Sequence, residues 1–130
     1  MLYLSGPISG RADDNRPAFA AATASLTAAG HAVCNPLTLP APAQPTWAQY
    51  LRADLAVLLT CDGVAVLDDW ASSRGSRLEV LVALAVGIPV APVAAWIATP
   101  RPLVPLGVLP GVPRWWGPVL GRFLPETRPV

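Results

Sequence analysis

The stretch GSRLEVLVALAVGIPV, residues 75 to 90, is the part of the chain that decides the fold. It predicts a buried helix over residues 78–86, a turn at Gly87 and a buried strand over residues 88–93. A helix that returns through a short turn to an apolar strand is typical of parallel sheets. The same stretch carries one carboxylate, Glu79, at the head of its apolar run. Burial of an unpaired charge is costly, so the position of Glu79 needs an explanation.

Strand and helix patterns alternate through the rest of the first hundred residues. Further strands are predicted at residues 2–5, 31–36 and 63–69, and the helices between them begin after Asp14 or Asn15 and at Thr46. Asp14 or Asn15 is expected to cap the first helix and Thr46 the second. The alternation predicts a single-domain, doubly wound α/β fold of the Rossmann or flavodoxin-like kind. We expect a mostly parallel sheet of four to five strands with helices on both faces.

The chain divides into two parts by composition. Residues 1–98 form the predicted α/β domain, and residues 99–130 are a Pro-, Gly- and Trp-rich extension. We expect this extension to pack on the domain or on a neighbouring subunit. Its Trp115-Trp116 pair could cover a sheet edge, pack on a second subunit or lie over the functional site.

Composition excludes several classes of function. The chain has 130 residues, 53% of them hydrophobic, and a net charge of +1, so neither disorder nor a nucleic-acid partner is expected. Cys34 and Cys61 have no metal-binding spacing, and His31 stands without an acidic or cysteine cluster, so we predict no metal and no cofactor. Two cysteines without a disulfide framework fit reduced thiols in the cytoplasm.

One apolar run has the length of a membrane span. Val80 to Ala98 contains no charged side chain. Gly87, Pro89 and Pro92 interrupt it, and its residues are mostly Ala and Val, which favour insertion less than Leu or Ile. The run is better explained as a helix, a turn and a strand, so we predict no membrane partner.

Unusual polar residues follow two of the predicted strands, where parallel sheets bind ligands. After the first strand, five residues together suit a phosphate through their hydroxyls, backbone N–H groups and guanidinium, namely Ser5, Gly6, Ser9, Gly10 and Arg11. An ordinary tight turn would explain this spacing equally well. After the third strand, Ser73 and Gly75 stand in a loop that resembles a second anion-binding loop.

Three further residues are candidates for chemistry, each with a structural alternative. Glu79 could be a nucleophile or base in a dry pocket, could complement the helix dipole, or could pair with Arg74 or Arg77. Asp54 interrupts an otherwise apolar helix face, and the alternative is a solvated position. Tyr3 lies in the first strand, where a core role is the default.

Five motifs in order resemble the nucleoside 2-deoxyribosyltransferase-like superfamily. They are YLSGPISG, N(x)3F, CNP, W(x)2YLRADL(x)5CD and W(x)2S(x)GS(x)2E, and they extend from residue 1 to about residue 93. The resemblance is greatest to a small bacterial and phage branch known mainly as a domain of unknown function. It implies cleavage of the N-glycosidic bond of a deoxynucleoside or deoxynucleotide, without a cofactor, by a homo-oligomer such as a dimer or tetramer.

The resemblance also assigns roles to individual residues. It implies that Glu79 is the nucleophile and that Tyr3 orients it, and it matches Asp54 and Asp62 to an aspartate pair eight residues apart. Ser73 stands six residues before the nucleophile. Transferases of free nucleosides tend to have aspartate there, whereas hydrolases of 5′-monophosphates tend to have serine.

Together these points lead to a hypothesis and two alternatives. In the hypothesis, Glu79 forms a covalent glycosyl ester with a 2′-deoxynucleoside 5′-monophosphate, Asp54 protonates the departing base, and water or a second base accepts the sugar. One alternative is a module of the same fold that binds or senses a nucleotide without turnover. The other is an inactive partner protein.

Overall fold

A parallel four-stranded sheet forms the centre of the molecule. The computed structural model describes residues 1–102, 109–112 and 116. The strands are β1 (Leu2–Ser5), β2 (Val33–Cys34), β3 (Gly63–Val66) and β4 (Val90–Pro92). They pair in the order β2-β1-β3-β4, and every pairing is parallel. The predicted single-domain α/β fold is thereby confirmed.

Helices cover both faces of this sheet. They are α1 (Arg16–Ala28), α2 (Trp47–Leu58), α3 (Arg74–Ala85) and α4 (Val93–Ala98), with short 3-10 turns at Ala12–Asn15, Pro36–Thr38 and Trp70–Ser72. Because successive strand residues point to opposite faces, β1 sends Leu2 and Leu4 towards α1 and α4. Tyr3 points the other way, into the layer that contains residues of α2 and α3.

The first helix begins directly after Asn15 and ends before Gly30, as predicted, but it lacks the expected side-chain cap. Phe19, Ala22 and Leu26 are its buried side chains, and Gly30 follows it with a left-handed φ of 94°. Asn15 occupies the predicted N-cap position, but its side chain makes no capping hydrogen bond and instead donates through Nδ2 to the carbonyl of Pro7 at 2.9 Å. Asp14 precedes it in a left-handed conformation within the 3-10 turn.

The second helix has its predicted cap and a more exposed apolar stripe than expected. The Thr46 hydroxyl accepts a hydrogen bond from the Gln49 amide at 3.2 Å. Leu58 is the one fully buried residue of α2, whereas Trp47 and Tyr50 are exposed.

The third helix begins four residues earlier than predicted. Ser73 is its N-cap, and the Ser73 hydroxyl accepts from the Ser76 amide at 3.2 Å. The expected loop 70–76 is therefore a 3-10 turn followed directly by the first turn of α3. Glu79 lies in the second turn of this helix, which begins at Arg74.

Three strand predictions were too long. Residues 31–36 contribute two residues to the sheet, β3 ends at Val66, and β4 ends at Pro92. Val93 instead begins α4, which the sequence did not predict. The buried Trp96 of α4 donates through its indole to the carbonyl of Val64 at 2.9 Å. Among the described residues, no helix has the length and apolarity that crossing a membrane requires.

Candidate functional site

Two loops meet at the carboxyl edge of the sheet, one after β1 and one after β3. Ser5 and Val66 are partners in the parallel register, and the Leu67 amide donates to the carbonyl of Ser5 at 2.9 Å. Gly6 packs against Leu67 so closely that a Cβ there would lie 2.7 Å from Leu67 Cδ1. The close approach of the two loops thus depends on Gly6.

Four buried side-chain oxygens at this edge have no hydrogen-bond partner within the described part of the chain. They are the Tyr3 hydroxyl, Ser5 Oγ, Ser76 Oγ and Glu79 Oε2. Tyr3 and Ser5 share one face of β1, and Ser76 and Glu79 lie three residues apart on the buried face of α3. An unsatisfied buried polar group costs about 1–3 kcal/mol. Such a concentration of unpartnered groups points to a ligand-binding site.

Glu79 is the carboxyl of this group. Its side chain is 7% exposed, and burial raises its pKa to about 8. The Tyr3 hydroxyl acts against this rise, and the negative charge of Asp54 adds to it. The carboxyl of Glu79 is therefore largely protonated at neutral pH.

Tyr3 lies beside this carboxyl and is fully buried. Burial, followed by the charge of Glu79, raises the pKa of the Tyr3 hydroxyl far above its ordinary value, so the hydroxyl keeps its proton. It is near enough to lower the pKa of Glu79, although its oxygen has no hydrogen-bond partner within the described part of the chain.

Asp54 lies on α2, half-buried. Burial raises its pKa to about 6, and its charge in turn raises the pKa of Tyr3 and Glu79. The structure therefore brings Tyr3, Asp54 and Glu79 within electrostatic reach of one another, although they come from β1, α2 and α3. The alternative of a fully solvated Asp54 is wrong.

The first turn of α3 lies next to the Glu79 carboxyl. A Cβ added to Gly75 would lie 3.8 Å from Glu79 Oε1 and 3.9 Å from Ser73 Oγ. The first N–H groups of a helix have no intrahelical acceptor and attract anions. Ser73 and Gly75 thus lie beside both the carboxyl and these backbone donors.

The outer part of the first loop lies away from the buried oxygens. Ser9, Gly10 and Arg11 are exposed. The Arg11 guanidinium donates to Ser72 Oγ at 3.1 Å and lies 3.7 Å from a carboxylate oxygen of Asp69. Arg11 therefore joins the two loops, and it contacts no buried member of the site.

Neither neighbouring arginine pairs with Glu79. The Arg74 guanidinium lies 4.1 Å above the ring of Trp47, and Arg77 donates to the carbonyl of Ala71 at 3.1 Å. The predicted alternative of a buried ion pair is wrong. Asp62 also lies elsewhere: it is exposed and forms an ion pair with the amino group of Met1.

The C-terminal extension contacts the loop after β3. The Trp70 indole donates to the carbonyl of Pro110 at 2.7 Å, and its ring lies 6.3 Å from that of Trp116. Gly111 is in close contact with Ala71, since a Cβ on Gly111 would lie 2.8 Å from Ala71 Cβ. The predicted roles of Trp115 lie outside the described residues.

Features elsewhere in the described part of the chain include a hydrogen-bonded histidine and a depression. In residues 1–102, 109–112 and 116, no group of three His, Cys, Asp or Glu side chains could hold a metal ion. His31 is hydrogen-bonded through Nε2 to the carbonyl of Trp96 at 2.8 Å. A depression of about 340 Å³ lies at the opposite edge of the sheet, lined among others by Met1, His31 and Arg101.

Ser76 is the member of the site that sequence reasoning missed. The available signal was its spacing of three residues before Glu79, but α3 was predicted to begin only at Leu78. With the helix starting at Arg74, the same spacing places Ser76 and Glu79 on one face.

The fold and this site together define a parallel-sheet α/β protein with a buried carboxyl at the carboxyl edge. The chain belongs to the family described as Domain of unknown function (DUF4406), whose sequence model matches residues 1–92. No curated protein and no solved structure matches the chain.

Proposed function

We propose that the protein cleaves the N-glycosidic bond of a 2′-deoxynucleoside 5′-monophosphate through a covalent intermediate on Glu79. The observation that supports this function is that two carboxyls, the buried Glu79 and the half-buried Asp54, lie within electrostatic reach of each other and of the buried Tyr3 hydroxyl. Carboxyl pairs of this kind carry out glycoside hydrolysis in many enzymes. Likeness to the deoxyribosyltransferase superfamily adds the substrate class.

The chemistry needs one proton shared by the two carboxyls. Ionised Glu79 attacks the anomeric carbon, the bond from that carbon to the base breaks, and protonated Asp54 gives its proton to the departing base. Water then attacks the anomeric carbon of the glycosyl ester and gives a proton to Asp54, the bond from that carbon to the Glu79 oxygen breaks, and Glu79 leaves as a carboxylate. With pKa values of about 8 for Glu79 and about 6 for Asp54, the resting proton is on Glu79. A hydrogen bond from Tyr3 to the Glu79 carboxylate favours transfer of this proton from Glu79 to Asp54.

Contacts at the first turn of α3 support a phosphate on the substrate. The Ser73 hydroxyl accepts from the Ser76 amide, so its own proton remains available for donation. Gly75 has no side chain between Ser73 Oγ and Glu79 Oε1, which would lie 3.9 Å and 3.8 Å from an added Cβ. Asp68 and Asp69, which would repel a phosphate, are exposed, and Asp69 is near Arg11.

A nucleotide-binding module without turnover is the second candidate. The raised pKa of Glu79, about 8, favours a neutral carboxyl at pH 7. A neutral carboxyl suits hydrogen bonding to a sugar hydroxyl better than nucleophilic attack. In this case saturable binding would occur without release of the base.

The decisive experiment is a product assay with four deoxynucleoside 5′-monophosphates and the matching nucleosides. We expect the wild type to release free base, detected by chromatography, and Glu79→Gln to lose more than about 10⁴-fold of the rate. Asp68→Asn is the matched control, because it removes an exposed carboxylate at the same edge and should leave the rate unchanged. Acid quenching during turnover should leave a deoxyribose-phosphate adduct on Glu79 by peptide mass spectrometry. Equal rates for Glu79→Gln and wild type would disprove the mechanism, and binding with no base release would establish the second candidate.

We also propose a cytoplasmic homo-oligomer, either a dimer or a tetramer. The buried, free thiols of Cys34 and Cys61 support a reducing compartment. The exposed Trp47 and Tyr50 of α2 support association between copies. Light scattering coupled to size exclusion should give a mass above that of one chain, and a monomer at micromolar concentration would contradict this proposal.

A further inference from the structure

Two serine hydroxyls in the site have no role in the proposed chemistry. Ser5 and Ser76 are each 1% exposed, and neither hydroxyl has a partner within the described part of the chain. Serine is rarely left unsatisfied in this way, because its hydroxyl can rotate to find a donor or acceptor. Their burial without partners indicates that something else completes their hydrogen bonds.

The topology places these two hydroxyls at the same depth in the molecule. Helix α3 connects the parallel strands β3 and β4, so it runs in the direction opposite to β1. Ser76 comes before Glu79 on α3, and Ser5 comes after Tyr3 on β1. Both serines are therefore nearer the carboxyl edge, and Glu79 and Tyr3 lie one step deeper.

Each serine is separated from the deeper side chain on its own element, Glu79 on α3 or Tyr3 on β1, by a distance close to the size of a pentose. Three residues of helix advance about 4.5 Å, and two residues of strand advance about 6.6 Å. These distances are comparable with the span from an anomeric carbon to a hydroxyl on the far side of the ring. The Ser73 hydroxyl and the first N–H groups of α3 lie farther out still, where they suit the phosphate.

We propose that Ser76, together with Ser5, binds the 3′-hydroxyl of the sugar and selects substrates that carry it. This inference rests on the proposed function, because it takes the substrate to be a 2′-deoxynucleoside 5′-monophosphate. In such a molecule the 2′-hydroxyl is absent and the 5′-oxygen is esterified, so the 3′-hydroxyl is the only free hydroxyl of the sugar. A pair of neutral hydroxyls, each able to donate and accept, suits this uncharged group.

The test compares two proteins on two substrates. Wild type and Ser76→Ala are assayed with a 2′-deoxynucleoside 5′-monophosphate and with its 2′,3′-dideoxy analogue. We expect Ser76→Ala to lower kcat/KM about 10-fold or more for the deoxy substrate and to have no further effect on the dideoxy analogue. The control Ser25→Ala, which removes an exposed hydroxyl from α1, should match wild type on both. An equal loss on both substrates, or no loss on either, would overturn the proposal.

The melting temperature distinguishes a ligand-binding role of the Ser76 hydroxyl from a structural one. Ser76→Ala removes a buried polar atom that has no partner, so its melting temperature should equal or exceed that of wild type. If it melts lower, the hydroxyl has a structural partner and the assignment to the sugar is wrong.

Calorimetry distinguishes failure of this inference from failure of the proposed function. The same four combinations are titrated, and the Kd values are compared. If no base is released but Ser76→Ala weakens binding of the deoxy nucleotide alone, the inference holds and the proposed function fails. If base is released and the loss is equal for both nucleotides, the function stands and the inference fails. Absence of both binding and base release would overturn both.

Discussion

At the scale of single residues, Glu79 has the largest energetic consequence. Its pKa in the folded chain is about 8, against an ordinary value of 4.5. Below about pH 4.5 the side chain is neutral in both the folded and the unfolded state, so burial carries little cost. As the pH rises from there to about 8, the unfolded chain releases this proton while the folded chain retains it, and stability falls. Burial of Glu79 therefore lowers the free energy of unfolding at about pH 8 by about a few kcal/mol.

This cost leads to a prediction about Glu79→Gln. The amide has nearly the shape of the carboxyl but never ionises, so the variant should melt at a higher temperature than wild type at about pH 8. At about pH 4 the difference should become small. Thermal unfolding followed by circular dichroism from about pH 4 to 9 measures both, with Asp68→Asn as a control that shows no such trend. A gap between Glu79→Gln and wild type that is constant with pH would show that Glu79 titrates normally.

A second prediction concerns the pH dependence of base release. Because the active form carries one proton on the Asp54–Glu79 pair, kcat/KM should follow a bell with limbs near pH 6 and pH 8. Asp54→Asn should remove one limb and slow the reaction by about 10²–10⁴-fold. Asp62→Asn, at an exposed aspartate, should keep both limbs. A rate for Asp54→Asn equal to that of wild type would exclude Asp54 as the acid.

The contribution of sequence reasoning was uneven at this scale. The apolar run that follows Glu79 indicates that its carboxyl is buried at a cost. The sequence does not indicate that Tyr3 and Asp54 lie near it. These residues are 76 and 25 positions away from Glu79 along the chain, and only the resemblance to a family suggested their roles. Ser76 required the true start of a helix, which depends on one capping hydrogen bond.

At the scale of elements, boundaries were harder to predict than the elements themselves. Three helices and four strands follow from hydrophobic patterns, but α3 begins four residues early because the Ser73 cap outweighs the cost of Gly75 in the first turn. Helix α4 was missed because a short run of Val, Ala and Trp has no period that separates helix from strand. Asn15 is the N-cap of α1 as predicted, but its side chain makes no capping hydrogen bond and donates instead to the carbonyl of Pro7 in the preceding loop.

A prediction at this scale separates the two roles of Ser73. Ser73→Ala should lose about 1 kcal/mol of stability because the helix loses its cap. Ser73→Asp should retain stability, since aspartate caps helices well, but its charge should repel a phosphate. We expect kcat/KM to fall for the 5′-monophosphate and not for the free nucleoside. Denaturant unfolding and the two product assays test this directly. A Ser73→Asp variant with undiminished preference for the monophosphate would place the phosphate elsewhere.

At the scale of the whole molecule, two glycines test how closely its layers pack. A Cβ on Gly63 of β3 would lie 2.5 Å from the ring of Trp96, between the sheet and α4. Gly63→Ala should therefore destabilise the fold by about 1–3 kcal/mol. Gly75→Ala is the matched control: its Cβ meets nothing closer than 3.8 Å, and alanine favours a helix. The control should gain about 0.5–1 kcal/mol. Equal free energies of unfolding for the two variants, measured in urea, would show that α4 moves aside to accommodate the added methyl group.

The strand order explains how remote segments build one site. Because β1 lies between β2 and β3, the loops that follow β1 and β3 emerge side by side. The chain continues from β1 to β2 on one side and from β3 to β4 on the other, and ligands in open α/β folds bind at such a reversal of strand order. The buried oxygens of Ser5 and Glu79 fall at this place. The sequence correctly predicted that the loops after β1 and β3 lie at the carboxyl ends of these strands, but it gave no sign that α2 would be so weakly buried.

The weak burial of helix α2 affects how readily this helix opens. With Leu58 as its one fully buried residue, α2 has less apolar burial to lose on detaching than α1, which buries Phe19, Ala22 and Leu26. We expect the backbone amides of α2 to take up deuterium sooner than those of α1. Each such opening would withdraw Asp54 and admit solvent or substrate to an otherwise closed interior. A bound nucleotide that holds α2 against α3 should then slow deuterium uptake in α2 most of all.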